Sequence, residues 1–180
     1  MSITVYTQPI KYIVLEIILI PVMWVMVSLL VSRRSELDRP INALILFAAI
    51  LLIVHSTLLN RVSGARSGVV SLPFQQFIAS IRDNREILRS LLLNILLFCP
   101  FGAAFVNLFS QHKPSASRVS FACILGMLLS LLIEWIQYHF SLGNAEADDV
   151  ICNTLGTFIG ALSLPIKTAI AAACNIEKER

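Results

Sequence analysis

Long apolar runs separated by short charged islands dominate this sequence, and they constrain its fold more than any other feature. Apolar residues make up 57% of the 180 residues and charged residues 14%. Typical soluble domains have about 45–50% and about 25%. A soluble core of this length would need polar residues interleaved along every element, because polar side chains must coat its outer face. The chain is therefore predicted to be an integral membrane protein.

Five of the apolar runs are long enough to cross a membrane as helices. A hydrocarbon core about 30 Å thick requires about 20 helical residues, and the runs cover residues 12–32, 41–59, 90–109, 119–142 and 150–173. Helices are favoured over barrel strands because the runs lack period-two alternation and because lipid offers no partner for a backbone amide. The predicted fold class is all-α, a helical membrane bundle with about five transmembrane helices.

The same pattern divides the chain into three regions. Residues 1–60 hold two N-terminal helices, residues 61–165 hold the core with the last three helices, and residues 166–180 hold the end of the last helix and a short charged tail. Arg33 and Arg34 follow the first run without a small-residue cleavage site, so we expect this run to stay attached.

The connection between the second and third spans is unusual. Residues 69–74 are apolar but too short to cross a membrane, and residues 75–89 carry mixed charge. An interfacial or re-entrant segment is one interpretation and a solvated loop is the other, and the weak periodicity does not separate them. Two spans separate this connection from residues 143–149, so both connections should face the same compartment. Absolute orientation stays open, because Lys and Arg are divided almost evenly between the two sides.

Glu134 is the strongest functional candidate among the ionisable residues of the predicted spans. A carboxylate near the centre of a span costs about 2.5–3.5 kcal/mol on insertion scales, which makes it a functional candidate. At helical spacing it belongs to a stripe of small and polar residues in the fourth span: Gly126, Ser130, Glu134, Gln137 and Tyr138. The fifth span has a matching stripe, which includes a G-x-x-x-G pattern: Asp149, Asn153, Gly156, Gly160 and Ser163.

These two spans must be antiparallel neighbours, because only seven residues join them. Their polar residues then meet at one membrane face, where the third span also begins. The predicted polar pocket consists of Asn94, Glu134, Gln137, Asp148, Asp149 and Asn153. Arg82 and Arg85 are its expected charge partners, and Gly126, Gly156 and Gly160 are the expected helix-packing positions.

Other roles for the polar residues are open. Asn94 and Asn153 could act only as interhelical hydrogen-bonding groups, worth about 0.6 kcal/mol per bond. The three acids favour function, because packing alone needs no acidic cluster. No metal or cofactor is expected: the four cysteines form no C-x-x-C pair, and although a divalent cation could sit among the acids, no ligand spacing requires one. No nucleic-acid partner is expected, because the net charge of +3 is small and scattered. Neither H-E-x-x-H nor G-x-S-x-G occurs, so a protease has no recognisable nucleophile or zinc site.

Four sequence blocks in this order resemble the VanZ-like family. They are L-P-F at residues 72–74, L-N-I-L-L-F-C-P-F-G at 93–102, S-L-L-I-E-W-I-Q at 130–137 and D-D-V-I-C-N-T-L-G at 148–156, followed by I-G at 159–160. The resemblance covers about half of the chain. Each block is unspecific alone, but their order makes the combination specific.

The resemblance implies a small multi-pass protein of the bacterial cytoplasmic (inner) membrane. The family is named for a member that lowers susceptibility to teicoplanin, and it has no established reaction. Its shared polar positions fall on Asn94, Glu134, Gln137, Asp149, Asn153 and Gly156. Many relatives have an Arg shortly after the fourth span, where this chain has Asn144. If that Arg pairs with the acids, then Arg82 or Arg85 must replace it here, or the site is less active.

Three functions fit these observations. The first is a binding pocket at the cell surface for a cationic or hydrogen-bonding envelope component, with reduced glycopeptide susceptibility expected from the resemblance. Its partners would be membrane lipid and an envelope lipid, an envelope precursor or a glycopeptide-related ligand. The second is an enzyme that modifies such a molecule with Glu134 or Asp149 as general base. The third is a structural partner of another membrane protein, docked through the G-x-x-x-G stripe. The oligomeric state stays open.

Overall fold

A computed structural model describes residues 38–59, 70–75, 77–78, 85–109, 115–166 and 169. Within them lie four helices that are long and apolar enough to cross a membrane. Helix α1 is Asp38–Val54, continued by a π-helical turn over His55–Leu59. Helices α2, α3 and α4 are Arg85–Phe109, Ala116–His139 and Ala147–Ala161, and helical backbone resumes briefly over residues 163–166.

This architecture confirms the all-α membrane bundle. The four helices correspond to the second to fifth predicted spans, and the predicted span at residues 12–32 lies outside the described residues. Two helix starts lie earlier than the apolar runs that predicted them, and both differences bear on the site. Helix α4 begins at Ala147 rather than at residue 150, so Asp148 and Asp149 occupy its first turn, where acids are stabilised by the helix dipole. Helix α2 begins at Arg85 rather than at residue 90, because hydropathy marks only the apolar part of a helix that continues into polar surroundings.

The interior of the bundle is unusually polar and its outer surface is apolar. Phe98, Ile53 and Val106 are fully buried, but so are Ser130 and Thr157. Each helix exposes large apolar side chains: Phe47 on α1, Leu92 on α2, Leu128 on α3 and Leu155 on α4. Exposed apolar faces suit a protein whose surroundings are lipid, and polar interiors are where membrane bundles hold their functional groups.

Helices α2 and α4 approach each other closely along a line of glycines. A Cβ atom at Gly156 would lie 2.1 Å from the carbonyl oxygen of Ile95, and one at Gly160 would lie 2.0 Å from that of Cys99. Gly126 of α3 instead faces the side chain of Thr157 of α4. At Gly156 and Gly160 only glycine permits such an approach, since any side chain would occupy the space of the facing backbone. Helix α4 is thereby fixed against α2 and α3 together.

Two short strands join the end of the bundle that carries the polar residues. Strand β1 is Val70–Ser71 and strand β2 is Ala145–Glu146, and they pair in parallel with Val70 opposite Ala145. Where the structure describes them, at residues 70–71 and 145–146, the two connections therefore meet at one end of the bundle, as expected of connections that face the same compartment. The ladder is a small exception to the all-α architecture.

The chain after β1 folds back onto the bundle. Phe74 has a positive φ of 65°, and helical backbone begins at Gln75 and is stabilised by a bond from the Ile78 amide to the Phe74 carbonyl. The side chains of Leu72, Phe74 and Ile78 remain exposed. A structured segment with an apolar outer face favours the interfacial interpretation over the solvated loop.

Candidate functional site

Helices α3 and α4 bring two buried carboxylates to the same level of the bundle. Nδ2 of Asn153 donates a 2.8 Å hydrogen bond to Oγ of Ser130, which fixes the relative height of the two helices. Glu134 lies one turn beyond Ser130 on α3, and Asp149 lies one turn before Asn153 on α4. Because the helices are antiparallel, both steps lead about 6 Å towards the polar end of the bundle. Glu134 and Asp149 therefore share one level.

Both carboxylates are largely removed from solvent and lipid. Glu134 is 7% exposed and Asp149 is 6% exposed. Oε2 of Glu134 accepts a 2.8 Å hydrogen bond from the backbone amide of Glu146. Since Glu146 is the residue before the first turn of α4, Glu134 also positions the connection between the two helices. Glu134 thus makes a structural contact within the bundle as well as being a predicted site residue.

Asp148 faces a different neighbour from Asp149. Its Oδ1 accepts a hydrogen bond from the Phe74 amide, and its Oδ2 accepts one of 3.3 Å from the Phe77 amide. A side-chain oxygen that accepts amides at the start of a helical turn is the arrangement of an N-cap, here supplied by a distant helix. Phe74 adopts a conformation that bulky residues rarely use, and these bonds hold it there. Asp148 therefore attaches the segment of residues 72–78 to α4.

Two buried amide side chains surround the carboxylate level and have oxygen atoms left over. Gln137 donates from Nε2 to the carbonyl of Thr57 at 2.9 Å, which also joins α3 to the end of α1. Within the described part of the chain, Oε1 of Gln137 and Oδ1 of Asn153 accept no hydrogen bond. Oδ1 of Asn144 is a third such atom, at the position where the family resemblance implies an Arg. Among the described residues, three amide oxygens near the two carboxylates are therefore without a hydrogen-bond donor.

The structure describes fewer contacts for the remaining predicted site residues. Asn94 is half-buried on α2, next to Ile95, whose carbonyl faces Gly156; among the described residues it makes no hydrogen bond with the rest of the cluster. Arg82 lies outside the described residues, and of Arg85 only its position at the start of α2 is described. The predicted charge pairing therefore stays a prediction. Within the residues described, no group of three or more His, Cys, Asp and Glu side chains could hold a metal ion.

Sequence reasoning missed several groups that build the site. The backbone amides of Phe74, Phe77 and Glu146 are donors that any residue type could supply, so no sequence signal marks them. Thr157 is fully buried and donates to the Asn153 carbonyl at 3.0 Å; it lies four residues after Asn153 and could have been found by extending the stripe. Tyr138 was wrongly placed in the α3 stripe, since it is 44% exposed while Gln137 faces inward.

Comparison with known proteins supports the assignment that the sequence blocks suggested. The family model described as VanZ/LLP1 matches residues 12–168. The chain belongs to the VanZ/LLP1 family. "Protein VanZ" of Enterococcus faecium is 38% identical over 72 residues, which are 40% of this chain and 42% of that protein. The match thus spans less than half of the relative's length. No solved structure matches the chain.

Proposed function

We propose that this VanZ-family protein lies in the bacterial cytoplasmic membrane and binds a component of the cell envelope in the pocket around Glu134 and Asp149. Binding would lower susceptibility to glycopeptide antibiotics of the teicoplanin type. The observation that carries the proposal is the burial of two carboxylates at one level, with unpartnered amide oxygens on both sides among the described residues.

The energetics favour a binding role over packing alone. Burying a carboxylate in a span costs about 2.5–3.5 kcal/mol on insertion scales, and two like charges at one level repel each other as well. Apolar residues of similar size would pack at least as well in these positions. A cationic or hydrogen-bond-donating ligand would stabilise the pair and offset the free-energy cost of burying the two carboxylates.

The experiment that tests the proposal is measurement of teicoplanin susceptibility in a sensitive host that expresses the chain. Glu134→Gln and Asp149→Asn are nearly isosteric and retain an acceptor oxygen, so we expect both to insert normally and both to abolish any resistance conferred. Asn107→Ala is the matched control, because Asn107 is a polar residue at the other end of the bundle, bonded to the Ala103 carbonyl and to Ser163. Unchanged resistance in both carboxylate variants, at equal membrane content, would contradict the proposal.

An enzyme remains the second candidate because of one feature, the shared level of Glu134 and Asp149. Two facing carboxylates can share a proton and serve as an acid and a base towards a bound lipid or envelope precursor. Lipid profiles of cells with and without the gene distinguish the candidates. A lipid species that changes with the gene and reverts in Glu134→Gln favours catalysis, and an unchanged lipidome with altered drug binding favours the binding pocket.

The third function, docking of another membrane protein through the G-x-x-x-G stripe, lacks an accessible surface in this structure. Gly156 and Gly160 pack against the α2 carbonyls of Ile95 and Cys99, so the G-x-x-x-G stripe is already used within the chain. A partner could reach it only by displacing α2. We do not propose docking through this stripe.

A further inference from the structure

We infer that residues 70–78 form an interface patch, which inserts its apolar side chains into the lipid leaflet at the polar end of the bundle without crossing the membrane. Its partner is lipid, at the depth where the headgroups meet the acyl chains. The inference goes beyond the proposed function and does not depend on any ligand of the site. It follows from the exposure of the patch, its level on the bundle and its backbone hydrogen bonds.

The interface patch concentrates large exposed apolar side chains in a stretch that belongs to no predicted span. Leu72 is the most exposed of them, at 72%. Single exposed apolar residues are ordinary, but a group of them marks a contact with lipid or with another protein. The exposed side chains of the patch are Val70, Leu72, Phe74, Phe77 and Ile78.

Hydrogen bonds place the interface patch at the level where the exposed face of α3 ends. Oε2 of Glu134 accepts the Glu146 amide, so the last turns of α3 and the start of α4 share a level. The Asp148 carboxylate, two residues further on, accepts the Phe74 and Phe77 amides. The patch therefore lies level with the end of α3, where three aromatic side chains are exposed: Trp135, Tyr138 and Phe140.

The length of α3 identifies this level as a boundary of the membrane. Trp and Tyr are enriched where a membrane meets water, because their rings are apolar and carry a polar N–H or O–H group. From Arg118 to Tyr138 the helix rises about 30 Å, which is the thickness of the hydrocarbon core. A bilayer that begins near Arg118 therefore ends near Tyr138, and the interface patch lies at that boundary rather than in the water beyond it.

The backbone of the interface patch satisfies its amides within the protein. Pro73 has no amide, and every other residue that the structure describes from 72 to 78 donates its amide in a hydrogen bond. Lipid offers no partner for an amide, whereas a loop in water can leave its amides to the solvent. Besides the two bonds to Asp148, the amide of Leu72 donates to Oε1 of Gln75 at 3.2 Å, that of Gln75 to the Leu72 carbonyl at 3.2 Å and that of Ile78 to the Phe74 carbonyl at 3.0 Å.

Lipid is favoured over a protein as the partner of the patch because of what surrounds it. The helices also expose apolar side chains near this end, among them Leu88 on α2 and Ile151 on α4. These faces are surrounded by lipid in any membrane that holds the bundle. The interface patch continues the same apolar surface to the boundary, so lipid covers it without any further component.

The test is depth-dependent quenching of a single tryptophan in the purified full chain, reconstituted in phosphatidylcholine bilayers. The native Trp24 and Trp135 are replaced by phenylalanine, and Phe74→Trp or Ile78→Trp supplies the fluorophore. Interfacial elements lie about 5–10 Å into the boundary, so bromine near the carboxyl end of the acyl chains should quench at least about twofold more than bromine near their terminal methyl. Leu128→Trp, midway along the exposed face of α3, is the matched control and should show the opposite order.

Three results would overturn the inference. Efficient quenching by aqueous iodide without quenching by brominated lipid would mean that the patch is a solvated loop. Protection from both quenchers would mean that protein covers it. The same depth as Leu128→Trp would mean that the segment re-enters the hydrocarbon core. Only variants that elute as folded protein are compared, and Ile78→Trp decides alone if Phe74→Trp does not fold.

A second variant connects the depth of the patch to its satisfied amides. Asp148→Ala leaves the Phe74 and Phe77 amides without their acceptor, and an unsatisfied amide away from water costs about 1–3 kcal/mol. The segment should then move towards water, and iodide quenching of Ile78→Trp should rise at least about twofold. Glu146→Gln is the control and should leave the depth unchanged, because Glu146 bonds through its backbone amide. An unchanged depth in Asp148→Ala would overturn the role given to the internal amide bonds.

Discussion

The two halves of helix α4 differ in the residues that they place on the inner face of the bundle: small residues in one half and polar residues in the other. From Gly156 to Gly160 the inner face of the helix carries two glycines and the fully buried Thr157, and its backbone lies against the carbonyls of α2. From Asp148 to Asn153 it turns three polar side chains towards α3 and the segment of residues 72–78, although each is costly to bury. In a membrane, close backbone packing is a major source of stability between helices. The glycine half therefore provides the rigidity that lets the polar half keep an arrangement that packing alone would not favour.

The largest expected effect comes from adding a side chain to the glycine half. Gly156→Leu would place Cβ 2.1 Å from the Ile95 carbonyl oxygen, so α2 and α4 must separate. Overpacking of a core costs about 1–3 kcal/mol and more where backbone must move. We expect a large loss of folded monomer in detergent, measured by size-exclusion chromatography and thermal unfolding.

The matched control adds bulk on the opposite side of the same turn. Leu155→Phe enlarges an exposed side chain, so it should change stability by less than about 0.5 kcal/mol. If both variants are equally stable, then the glycine half does not provide the close packing described here.

A smaller and local effect is expected from the first turn of α4. Asp148→Ala removes the acceptor for the Phe74 and Phe77 amides, and hydrogen bonds to charged groups are worth about 1.5–3 kcal/mol. We expect hydrogen exchange at those two amides to become about ten- to a hundredfold faster, with little change in the centres of the helices. Glu146→Gln is the control, because Glu146 bonds through its backbone amide rather than its side chain. Unchanged exchange in Asp148→Ala would show that the segment is held by other contacts.

The smallest expected effect comes from the interhelical hydrogen bond that sets the relative height of Glu134 and Asp149. Ser130→Ala and Asn153→Ala, combined in a double-mutant cycle, should give a coupling energy of about 0.6 kcal/mol, the average for membrane helices. A coupling energy near zero would mean that the bond does not join α3 to α4. A coupling energy of about 0.6 kcal/mol would show that this bond of the polar half contributes far less to stability than the close packing of the glycine half.

Sequence patterns predicted the elements whose surroundings are lipid, because hydropathy and helical spacing report directly on that environment. Four of the five predicted spans correspond to helices in the described residues, and Glu134, Gln137, Asp149 and Asn153 are all buried as their stripes indicated. The family was also recognisable from its four blocks, and the VanZ/LLP1 match confirms it.

The features that could not be predicted depend on the backbone and on long-range contacts. The pairing of Val70 with Ala145 and the capping of residues 72–78 by Asp148 join segments more than 70 residues apart, and both use amides common to all residue types. The different neighbours of Asp148 and Asp149 follow from where α4 begins, and the apolar run did not mark that boundary. Helix ends in polar surroundings are set by capping and not by hydropathy.

The most direct test of the account is a disulfide crosslink across the β1–β2 ladder, because this contact brings residues 70–78 to the acid-bearing end of the bundle. In a chain whose four native cysteines are replaced by alanine, Val70→Cys and Ala145→Cys are opposite partners, and neighbouring strands lie about 4.7–4.9 Å apart, within the range for a disulfide. We predict rapid oxidation of this pair and no crosslink between Val70→Cys and Asn107→Cys, which would lie at opposite ends. Failure of the first pair to crosslink in a folded protein, or efficient crosslinking of the second, would contradict the account.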